Sequence, residues 1–232
     1  MTQNFWSEEK DSQARYVIPD RIMDFVFAID CKCLPCEHMF ALYQALQKAL
    51  PWLASEQEAG IHPIYGAESG NGWQRPEDDP DALMPLSRRQ KLTLRMPKTR
   101  EADLRALVGQ TLDIAGQPLT VGKMNRPRLL SDMPTIFARF VVSEGTQDEA
   151  RFLEQAAAQL QALDIRVRKM LAGRERQIRT PDGIIHTRSL MIADLTQEES
   201  VRLQEHGLGS HRHLGCGLFL PQKGIKPVNA EG

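Results

Sequence analysis

The sequence predicts an α+β protein made of two tandem ferredoxin-like (RRM-like) domains, each with the order β-α-β-β-α-β. Three observations lead to this prediction. The chain has 232 residues, which suits one large domain or two of about 100 residues each. Apolar runs of strand length alternate with amphipathic runs of helical period, and the same order of elements occurs twice. Each sheet would carry its helices on one face and leave the other face free for a ligand.

The first half of the chain begins with a strand at 22–32, which is rich in Phe, Val and Ile. Pro35 fits the first turn of a helix, which runs to about Leu50 because apolar residues recur there at helical spacing. Pro51 disrupts its continuation. The remaining elements of this half are a short strand at 61–65, strand-like runs within 83–96, a short helix at 99–108, and a hairpin of 111–114 and 118–121.

The second half repeats this order after a proline-containing linker at 125–134, so that the two domains span 1–124 and 135–232. The capping box Thr146-Gln147-Asp148-Glu149 predicts the start of one helix. A second capping box, from Thr196 to Glu199, opens a helix that ends at Gly207. The strands of this half are predicted at 135–142, 165–171, 175–178, 184–193 and 218–220.

Charge and cysteine content bound the classes of function. The chain has 29 Lys and Arg against 30 Asp and Glu, so its net charge of −1 argues neither for nor against nucleic acid. Bases nevertheless cluster at 88–95, 123–128 and 166–179, and such a patchy surface can form a basic groove on a neutral protein. The 4 cysteines, mostly crowded near residue 33, are unlike a secreted disulfide framework. Because no stretch resembles a signal peptide or a transmembrane span, we expect a cytoplasmic protein.

The most distinctive segment of the chain is Gly207-Leu208-Gly209-Ser210-His211-Arg212-His213-Leu214-Gly215-Cys216-Gly217. Its two Gly-x-Gly pairs bracket a polar run of two histidines and an arginine. Glycine adopts positive φ cheaply and permits the close approach of another backbone, and a loop of this kind can fold its amides around an anion. The alternative is a helix C-cap that leads into a strand, with incidental histidines.

Basic residues also surround Gly173. The bases on its two sides are Arg166, Arg168, Lys169, Arg174 and Arg176. If Gly173 lies in the turn of a hairpin, alternation along the strands would put Arg166 and Arg168 on one face. It would also put Arg174 and Arg176 on one face. A solvated hairpin is the alternative. Since Glu175 is the only acid among these bases, we favour contact with RNA, whose A-form stems are recognised mainly through backbone and shape.

Histidines and cysteines of the first half are candidates for chemistry. His38 falls in the first helical turn, where the positive end of the dipole favours a neutral imidazole that can act as a base; the alternative is a partly exposed residue without a role. His62 is the runner-up, with a structural turn residue as its alternative. The spacing Cys31-x-Cys33-x-x-Cys36-x-His38 invites a zinc site, but it is compressed and lacks a second pair of ligands. Buried small cysteines are favoured, and no metal or other cofactor is predicted.

The glycine segment resembles the signature of the CRISPR-associated repeat-processing endoribonucleases, the sixth Cas protein family. That signature is Gly-hydrophobic-Gly, five residues that include Lys or Arg, and a second Gly-hydrophobic-Gly. Here it is met by Gly207-Leu208-Gly209, Arg212 and Gly215-Cys216-Gly217. The segments 60–64 and 218–225 are similar to the branch first described from myxobacterial CRISPR systems. The resemblance covers roughly residues 22–226.

The resemblance implies metal-independent cleavage of precursor CRISPR RNA within each repeat. A 2′-hydroxyl would attack the adjacent phosphate and leave a 2′,3′-cyclic phosphate and a 5′-hydroxyl, with His38 moving a proton and a cation stabilising the phosphorane. Further catalytic candidates are Tyr43 and Lys48 on the same helix, His62, and Lys91, with Arg89 beside it as another cation and RNA contact. The loop would contact RNA through Gly207, Gly209, His211, Arg212, His213, Gly215 and Gly217, together with the basic residues around Gly173.

The resemblance also implies that the enzyme retains the stem-loop of its crRNA product and joins other subunits of a CRISPR surveillance complex. Two alternatives stay open. The protein could be a subunit that binds repeat RNA without cutting it, so that His38 is idle. It could also be a zinc-stabilised assembly subunit that does not recognise RNA itself.

Overall fold

The computed structural model describes residues 16–65, 79, 82–143 and 148–222. In chain order its first half contains β1 (Ile22–Asp30), β2 (Cys33–Pro35), α1 (Met39–Ala49), β3 (Gly60–Ile61), β4 (Leu83–Pro85), β5 (Lys91–Pro97), α2 (Glu101–Leu104), β6 (Thr111–Ile114) and β7 (Gln117–Met124). Short 3-10 turns follow α1 at Pro51–Ser55 and flank α2 at Lys98–Arg100 and Arg105–Leu107.

Five of these strands form one antiparallel sheet in the order β3-β5-β1-β7-β6. β1 lies at its centre, with Phe25 opposite Leu94 of β5. The helical spacing that predicted α1 brings Leu42 and Leu46 into the same core as Phe25. Without the added strand β6, the order is that of a ferredoxin-like unit, in which the first strand lies between the third and the fourth.

The second half repeats this arrangement. Its elements are β8 (Ile136–Val142), α3 (Glu149–Ala162), β9 (Lys169–Thr180), β10 (Gly183–Ala193), α4 (Gln197–His206), a 3-10 turn at Arg212–Leu214, and β11 (Leu220–Pro221). The strands form an antiparallel sheet in the order β11-β8-β10-β9. This is again the ferredoxin-like order, so the predicted tandem fold is confirmed.

Side-chain caps fix the starts of the two helices of the second half. The predicted capping box of α4 is present, since Thr196 Oγ1 accepts from the Glu199 amide at 3.1 Å and Glu199 Oε2 accepts from the Thr196 amide at 2.8 Å. For α3 the prediction is wrong. Its N-cap is Asp148, whose Oδ1 accepts from the Ala150 amide at 2.8 Å, and Thr146 lies outside the described residues. Among the helices of the described chain, none is long and apolar enough to cross a membrane.

The predicted hairpin turn at Gly173 is also wrong. β9 runs without a break from Lys169 to Thr180, and the turn follows at 181–182, where Gly183 pairs with Thr180. Pro181-Asp182-Gly183 is a typical turn sequence, and it outweighs the isolated glycine. Gly173 instead lies inside the strand, next to a register shift that indicates a β-bulge. A glycine is needed there because a Cβ would lie 2.5 Å from Ser189 Oγ.

Both faces of the second sheet are covered. On one face, α3 and α4 bury a core around Leu190. On the other face, Phe140 and Ile178 pack with Leu214 of the glycine segment, and the half-buried ring of Tyr43 from α1 joins them. The expectation that this face is free for a ligand is therefore wrong over this area. As a result, α1 of the first half and the glycine segment of the second half lie side by side.

Candidate functional site

The glycine segment forms a loop that closes on itself. Gly207, Gly209, Gly215 and Gly217 all have positive φ, between 66° and 82°. The Leu208 amide donates to the Gly217 carbonyl at 3.2 Å, and a Cβ on Gly217 would lie only 2.1 Å from Leu208 O. The two legs of the loop cross so closely that only glycine fits at the crossing.

The base of the loop is anchored to both halves of the protein. The Gly217 amide donates to Phe140 O of β8 at 2.7 Å. A Cβ on Gly215 would lie 2.9 Å from Pro63 Cγ and 3.1 Å from Met39 Cε, at the start of α1. Gly207, Gly215 and Gly217 are buried, so they shape the loop, and the RNA contacts predicted for them stay predictions. Gly209 is exposed.

Arg212, which is a predicted RNA contact, has protein partners of its own. Its side chain turns back into the protein, where Nη2 donates to Glu58 O at 3.3 Å, Nε is buried, and Nη1 would lie 2.7 Å from a Cβ on Gly207. Burial lowers the pKa of this guanidinium to about 10, and the nearby Arg95 cation acts in the same direction. Arg212 therefore holds the loop against the first half of the chain.

The tip of the loop, residues 209–213, has a different character. Gly209 and Ser210 are exposed, and His211 and His213 are half-buried. In the part of the chain that the structure describes, the amides of Gly209, Ser210 and His211 make no backbone hydrogen bond. Together with the positive φ of Gly209 and His211, this gives a loop of the kind whose amides can bind anions. The predicted anion-binding function therefore fits the tip, which includes the exposed Gly209, rather than the buried glycines.

Two imidazoles and a phenol meet at this tip. The rings of Tyr43 and His213 lie 4.4 Å apart, and those of His211 and His213 lie 5.9 Å apart, measured between centroids. Ser210 Oγ is 2.7 Å from His211 Nδ1. Burial lowers the pKa of His213, with a further contribution from the neighbouring His211. The His213 imidazole is therefore mostly neutral at pH 7.

His38, the predicted catalytic residue, occupies a different environment. Its side chain is buried, with 3% of the residue exposed. Nε2 accepts from the Ile64 amide at 3.1 Å, so Nδ1, which lies 3.0 Å from Pro35 O, must carry the proton. Both ring nitrogens thus bond to backbone, and the imidazole joins the start of α1 to the segment after β3. This geometry supports a structural role and leaves no nitrogen for a substrate hydroxyl.

His62 belongs to a buried charged cluster rather than to the loop tip. Its Nε2 lies 3.6 Å from Asp24 Oδ1, and 5% of the residue is exposed. Arg95, which is 1% exposed, holds the same carboxylate through Nε at 2.8 Å and Nη2 at 3.0 Å. Arg95 Nη1 also donates to the carbonyls of Gln204 and Phe219. The cluster therefore fastens the two halves together.

The remaining catalytic candidates lie apart from one another. Tyr43 is at the loop tip, as described. Lys48 is exposed in the last turn of α1. Lys91 is the exposed first residue of β5 and pairs with Ala28 of β1. Arg89 lies in the exposed turn that precedes this strand. Of the four, the structure brings only Tyr43 into contact with a histidine.

The basic residues of the second half divide into two groups. Arg168 Nη1 donates to Glu199 Oε2 at 2.6 Å, and the Arg166 amide donates to Glu199 Oε1. Although burial opposes it, hydrogen bonds from Thr196 and Arg168 hold the pKa of Glu199 at about 2. Lys169 Nζ is 2.9 Å from Asp194. The side chains of Arg168 and Lys169 are therefore held by acids beside α4, so their predicted RNA contacts have competing partners, whereas Arg166 is bonded there only through its backbone amide.

Arg174 and Arg176 lie further along β9, and Glu175 between them pairs with Arg188 of β10. In the sheet register, Arg176 is opposite Thr187, which is opposite Val142 of β8. A Cβ on Gly209 would lie 4.0 Å from Val142 Cβ. Residues opposite one another share a face, and neighbouring strands are about 4.8 Å apart. Arg176 therefore lies about 10 Å from Val142, which is in contact with the loop tip, and on the same face of the sheet.

The cysteines near α1 bond to oxygen atoms. Cys31 Sγ donates to Cys33 O at 3.1 Å, and Cys33 Sγ donates to Gln117 Oε1 at 3.3 Å. Among residues 16–65, 79, 82–143 and 148–222, no group of three or more His, Cys, Asp and Glu side chains is arranged to hold a metal ion.

Comparison with known proteins assigns a family to this fold and loop. The family model described as Cas6 Crispr matches residues 23–224. The chain belongs to the Cas6 family. A relative from Myxococcus xanthus (strain DK1622), named CRISPR-associated endonuclease Cas6, is 31% identical over 210 residues, which are 90% of this chain and 86% of the relative.

Solved structures support the Cas6 fold. One titled CRISPR associated protein Cas6 has a TM-score of 0.60 at 10% identity and covers 87% of this chain and 100% of its own. A Cas6-related protein from Pyrococcus furiosus has a TM-score of 0.58 at 13% identity, with 85% and 97% covered. A third, titled an RAMP protein binding different RNA substrates, has a TM-score of 0.57 at 14% identity, with 85% and 98% covered. At these identities the likeness concerns the tandem ferredoxin-like fold.

The contact of Tyr43 with His213 is what the sequence analysis of this Cas6 chain missed. Helical spacing does place Tyr43 on a different side of α1 from His38, because five residues correspond to about 500° of rotation. That signal indicated that Tyr43 faces another partner. It could not indicate which one, since the partner is 170 residues further along the chain.

Proposed function

We propose that this Cas6 chain is an endoribonuclease that cuts precursor CRISPR RNA within each repeat. Its relative from Myxococcus xanthus is named an endonuclease, which supports a nuclease. The observation that carries the proposal is the loop tip, where two half-buried imidazoles lie beside amides that make no backbone hydrogen bond within the described residues. Amides of this kind bind phosphate, and imidazoles transfer protons near neutral pH.

The proposed reaction needs no metal ion. The 2′-hydroxyl of the nucleotide before the scissile bond loses its proton to an imidazole and attacks the adjacent phosphorus. The bond from phosphorus to the 5′-oxygen breaks, and that oxygen takes up a proton, so the products are a 2′,3′-cyclic phosphate and a 5′-hydroxyl. The amides of the tip and the cation of Arg176 would stabilise the charge that grows on the phosphorane oxygens.

We also propose that the protein retains its product. Arg176 of β9 shares a face with the loop tip through the row from Arg176 to Val142. A repeat stem held through its backbone on this face keeps its contacts after the bond is cut, because cleavage does not change the phosphates of the stem. Retained crRNA would then bring this chain into a surveillance complex with other effector subunits.

The test is incubation of the purified full chain with a labelled RNA that carries one repeat from the host's own CRISPR array, in excess EDTA. We expect a single cut, with a 5′ fragment whose 3′ end accepts no poly(A) tail until its cyclic phosphate has been hydrolysed and then removed by a phosphatase. An RNA with a 2′-deoxy nucleotide at the mapped position is the matched control and should stay intact. Cleavage that stops in EDTA, or that proceeds on the 2′-deoxy RNA, contradicts the proposed chemistry.

A second function is favoured by one observation, the burial of His38 with both nitrogens bonded to backbone. If this histidine is the only one that catalyses the reaction, the chain binds repeat RNA without cutting it. The same incubation separates the two functions. Tight, salt-sensitive binding without any product in EDTA or in Mg²⁺ identifies a binding subunit, and product in EDTA identifies the nuclease.

A further inference from the structure

We infer that His213 and His211 of the loop tip are the base and the acid of the cleavage reaction. The inference rests on the proposed function and assigns its proton transfers to particular atoms. It replaces His38, which the resemblance of the chain to its family had suggested. Four observations about the loop tip lead to it.

The first observation is access. His211 and His213 are half-buried, whereas His38 and His62 are 3% and 5% exposed. A substrate phosphate can reach only a ring that is open to solvent. Of the four histidines that the sequence analysis singled out, this pair meets that requirement.

The second observation is the state of the ring nitrogens. Within the described chain, His213 makes ring contacts and no hydrogen bond to protein, and His211 uses Nδ1 for Ser210 while Nε2 has no protein partner. A group that takes or gives a proton needs such a nitrogen within reach of the substrate. His38 has none, because backbone groups occupy both nitrogens.

The third observation is the spacing of the two rings. Their centroids are 5.9 Å apart, so two ring nitrogens can contact different oxygens of one phosphodiester at hydrogen-bond distances of about 3 Å. One imidazole can face the 2′-oxygen while the other faces the 5′-oxygen. Tyr43 packs on His213 at 4.4 Å and acts as a positioning residue, since it restricts the rotation of that ring.

The fourth observation distinguishes the two roles. Burial lowers the pKa of His213, and the adjacent His211 lowers it further, so His213 is the ring that is neutral and able to accept a proton near pH 7. His211 bonds to Ser210 through Nδ1. When both ring nitrogens of His211 carry protons, Nδ1 can donate to the serine oxygen, and Nε2 is the donor that is left for the substrate.

The reaction then balances as follows. His213 accepts the proton of the 2′-hydroxyl as the oxygen–phosphorus bond forms, and the His211 imidazolium gives its Nε2 proton to the departing 5′-oxygen as the second oxygen–phosphorus bond breaks. One proton is taken and one is given. The pair ends with its charges exchanged, and exchange with water restores the starting state.

The test uses single-turnover cleavage of the same labelled repeat RNA at saturating protein. We expect His213→Ala and His211→Asn each to slow cleavage by about 100-fold or more, with RNA affinity and thermal midpoint close to those of the unmodified chain. Asn is chosen at 211 because His211 has a φ of 62°, which Asn tolerates. His206→Ala is the matched control, since His206 lies exposed at the end of α4, and it should cut at the normal rate.

A second RNA separates acid from base. It carries sulfur in place of the 5′-bridging oxygen at the scissile bond, and a thiolate leaves without taking up a proton. This RNA should restore the rate of His211→Asn to within about tenfold of the unmodified chain and should leave His213→Ala slow. Normal cutting by both variants, or equal rescue of both, overturns the inference. Failure of the unmodified chain to cut any RNA instead refutes the proposed function.

Discussion

Arg95 and Asp24 form a buried, two-pronged ion pair that also connects the two halves of the protein. Arg95 Nε and Nη2 contact the two carboxylate oxygens at 2.8 and 3.0 Å, and Nη1 reaches the carbonyls of Gln204 and Phe219. Asp24 is on β1, and the two carbonyls belong to the last helix and the approach to the last strand of the second half. Loss of either charge therefore affects the contact between the halves as well as the first sheet.

Asp24→Asn should lower the free energy of unfolding by about 3 kcal/mol or more. The substitution keeps the shape of the side chain but leaves the Arg95 cation buried without its counter-charge. Urea denaturation measures the change. Glu101→Gln is the matched control because Glu101 pairs with Arg105 at the surface, and it should cost less than about 1 kcal/mol. Equal effects of the two substitutions would contradict the structural role of the buried pair.

Stability should fall as the pH drops below about 6.5, and His62 should account for part of the fall. Burial lowers the pKa of His62, partly offset by Asp24, while the cations Arg95 and Arg212 act with burial. The unfolded chain, with an ordinary histidine pKa near 6.5, therefore binds more protons than the folded chain below that pH. Stability contributed in this way is present above pH 6.5 and is lost toward the lowered folded pKa.

The measurement is the free energy of unfolding in urea at pH 7.5 and pH 5.5. His62→Gln should lose less stability between these values than the unmodified chain does. Asp24 contributes no slope in this window because its pKa is held well below the usual range and the carboxylate stays ionised. His213 contributes in the same direction as His62, so some slope should remain. An unchanged slope in His62→Gln would show that the imidazole is not shielded in the folded state.

Gly217→Ala should cost about 3 kcal/mol or more, because the new Cβ would lie 2.1 Å from Leu208 O in a backbone that cannot move aside. The matched control is Gly116→Ala. Gly116 also has positive φ, at 81°, but a Cβ there meets nothing within 4 Å, so only the backbone penalty of about 1–2 kcal/mol applies. Urea denaturation gives both values. If the two substitutions cost the same, the close crossing of the loop is not present in solution.

Arg176→Gln should weaken repeat-RNA binding and reduce the slope of log Kd against log salt by about 0.7–0.9, the effect of one phosphate contact. Arg168→Gln should leave the slope unchanged, because Glu199 already pairs with Arg168. Filter binding across a salt series measures both. Arg105, exposed beside α2, supplies the control Arg105→Gln. A reduced slope in Arg168→Gln would show that its ion pair opens for RNA.

His38→Ala should act on stability rather than on chemistry. The substitution leaves the Ile64 amide and Pro35 carbonyl without their partner, and buried groups without partners cost about 1–3 kcal/mol each. At a temperature where the variant is folded, its single-turnover rate should stay within about threefold of the unmodified rate. A 100-fold slower rate in the folded variant would restore His38 as a catalytic residue.

The elements of the fold were largely predictable from local pattern. Runs of β-branched and aromatic residues gave β1 and β10, and helical spacing gave α1, because these signals come from neighbours in sequence. Two local errors arose where one signal was read in place of another. The capping-box pattern predicts Thr146 as the cap of α3, but the cap is Asp148. The isolated Gly173 predicts a turn, but the turn lies at the Pro-Asp-Gly sequence that follows β9.

The site was less predictable because it depends on contacts between distant segments. His38 lies at the start of α1, as the sequence predicts, but the direction of its ring is fixed by the amide of Ile64, 26 residues away. Arg212 has the residue type that the signature requires, yet its charge is used inside the protein. A pattern of residue types reports which side chains are present, and only packing decides which of them face solvent.

The crossing of Leu208 and Gly217 closes the loop, so that its length is fixed by the number of residues between them. The residues between Leu208 and Gly217 all extend from this one crossing. Their number, rather than their identities, therefore sets how far the loop tip extends from the sheet. One residue more or fewer between the glycine pairs would lift or lower both imidazoles together. Substitutions within the loop can therefore change its chemistry one residue at a time, whereas its length has to stay the same.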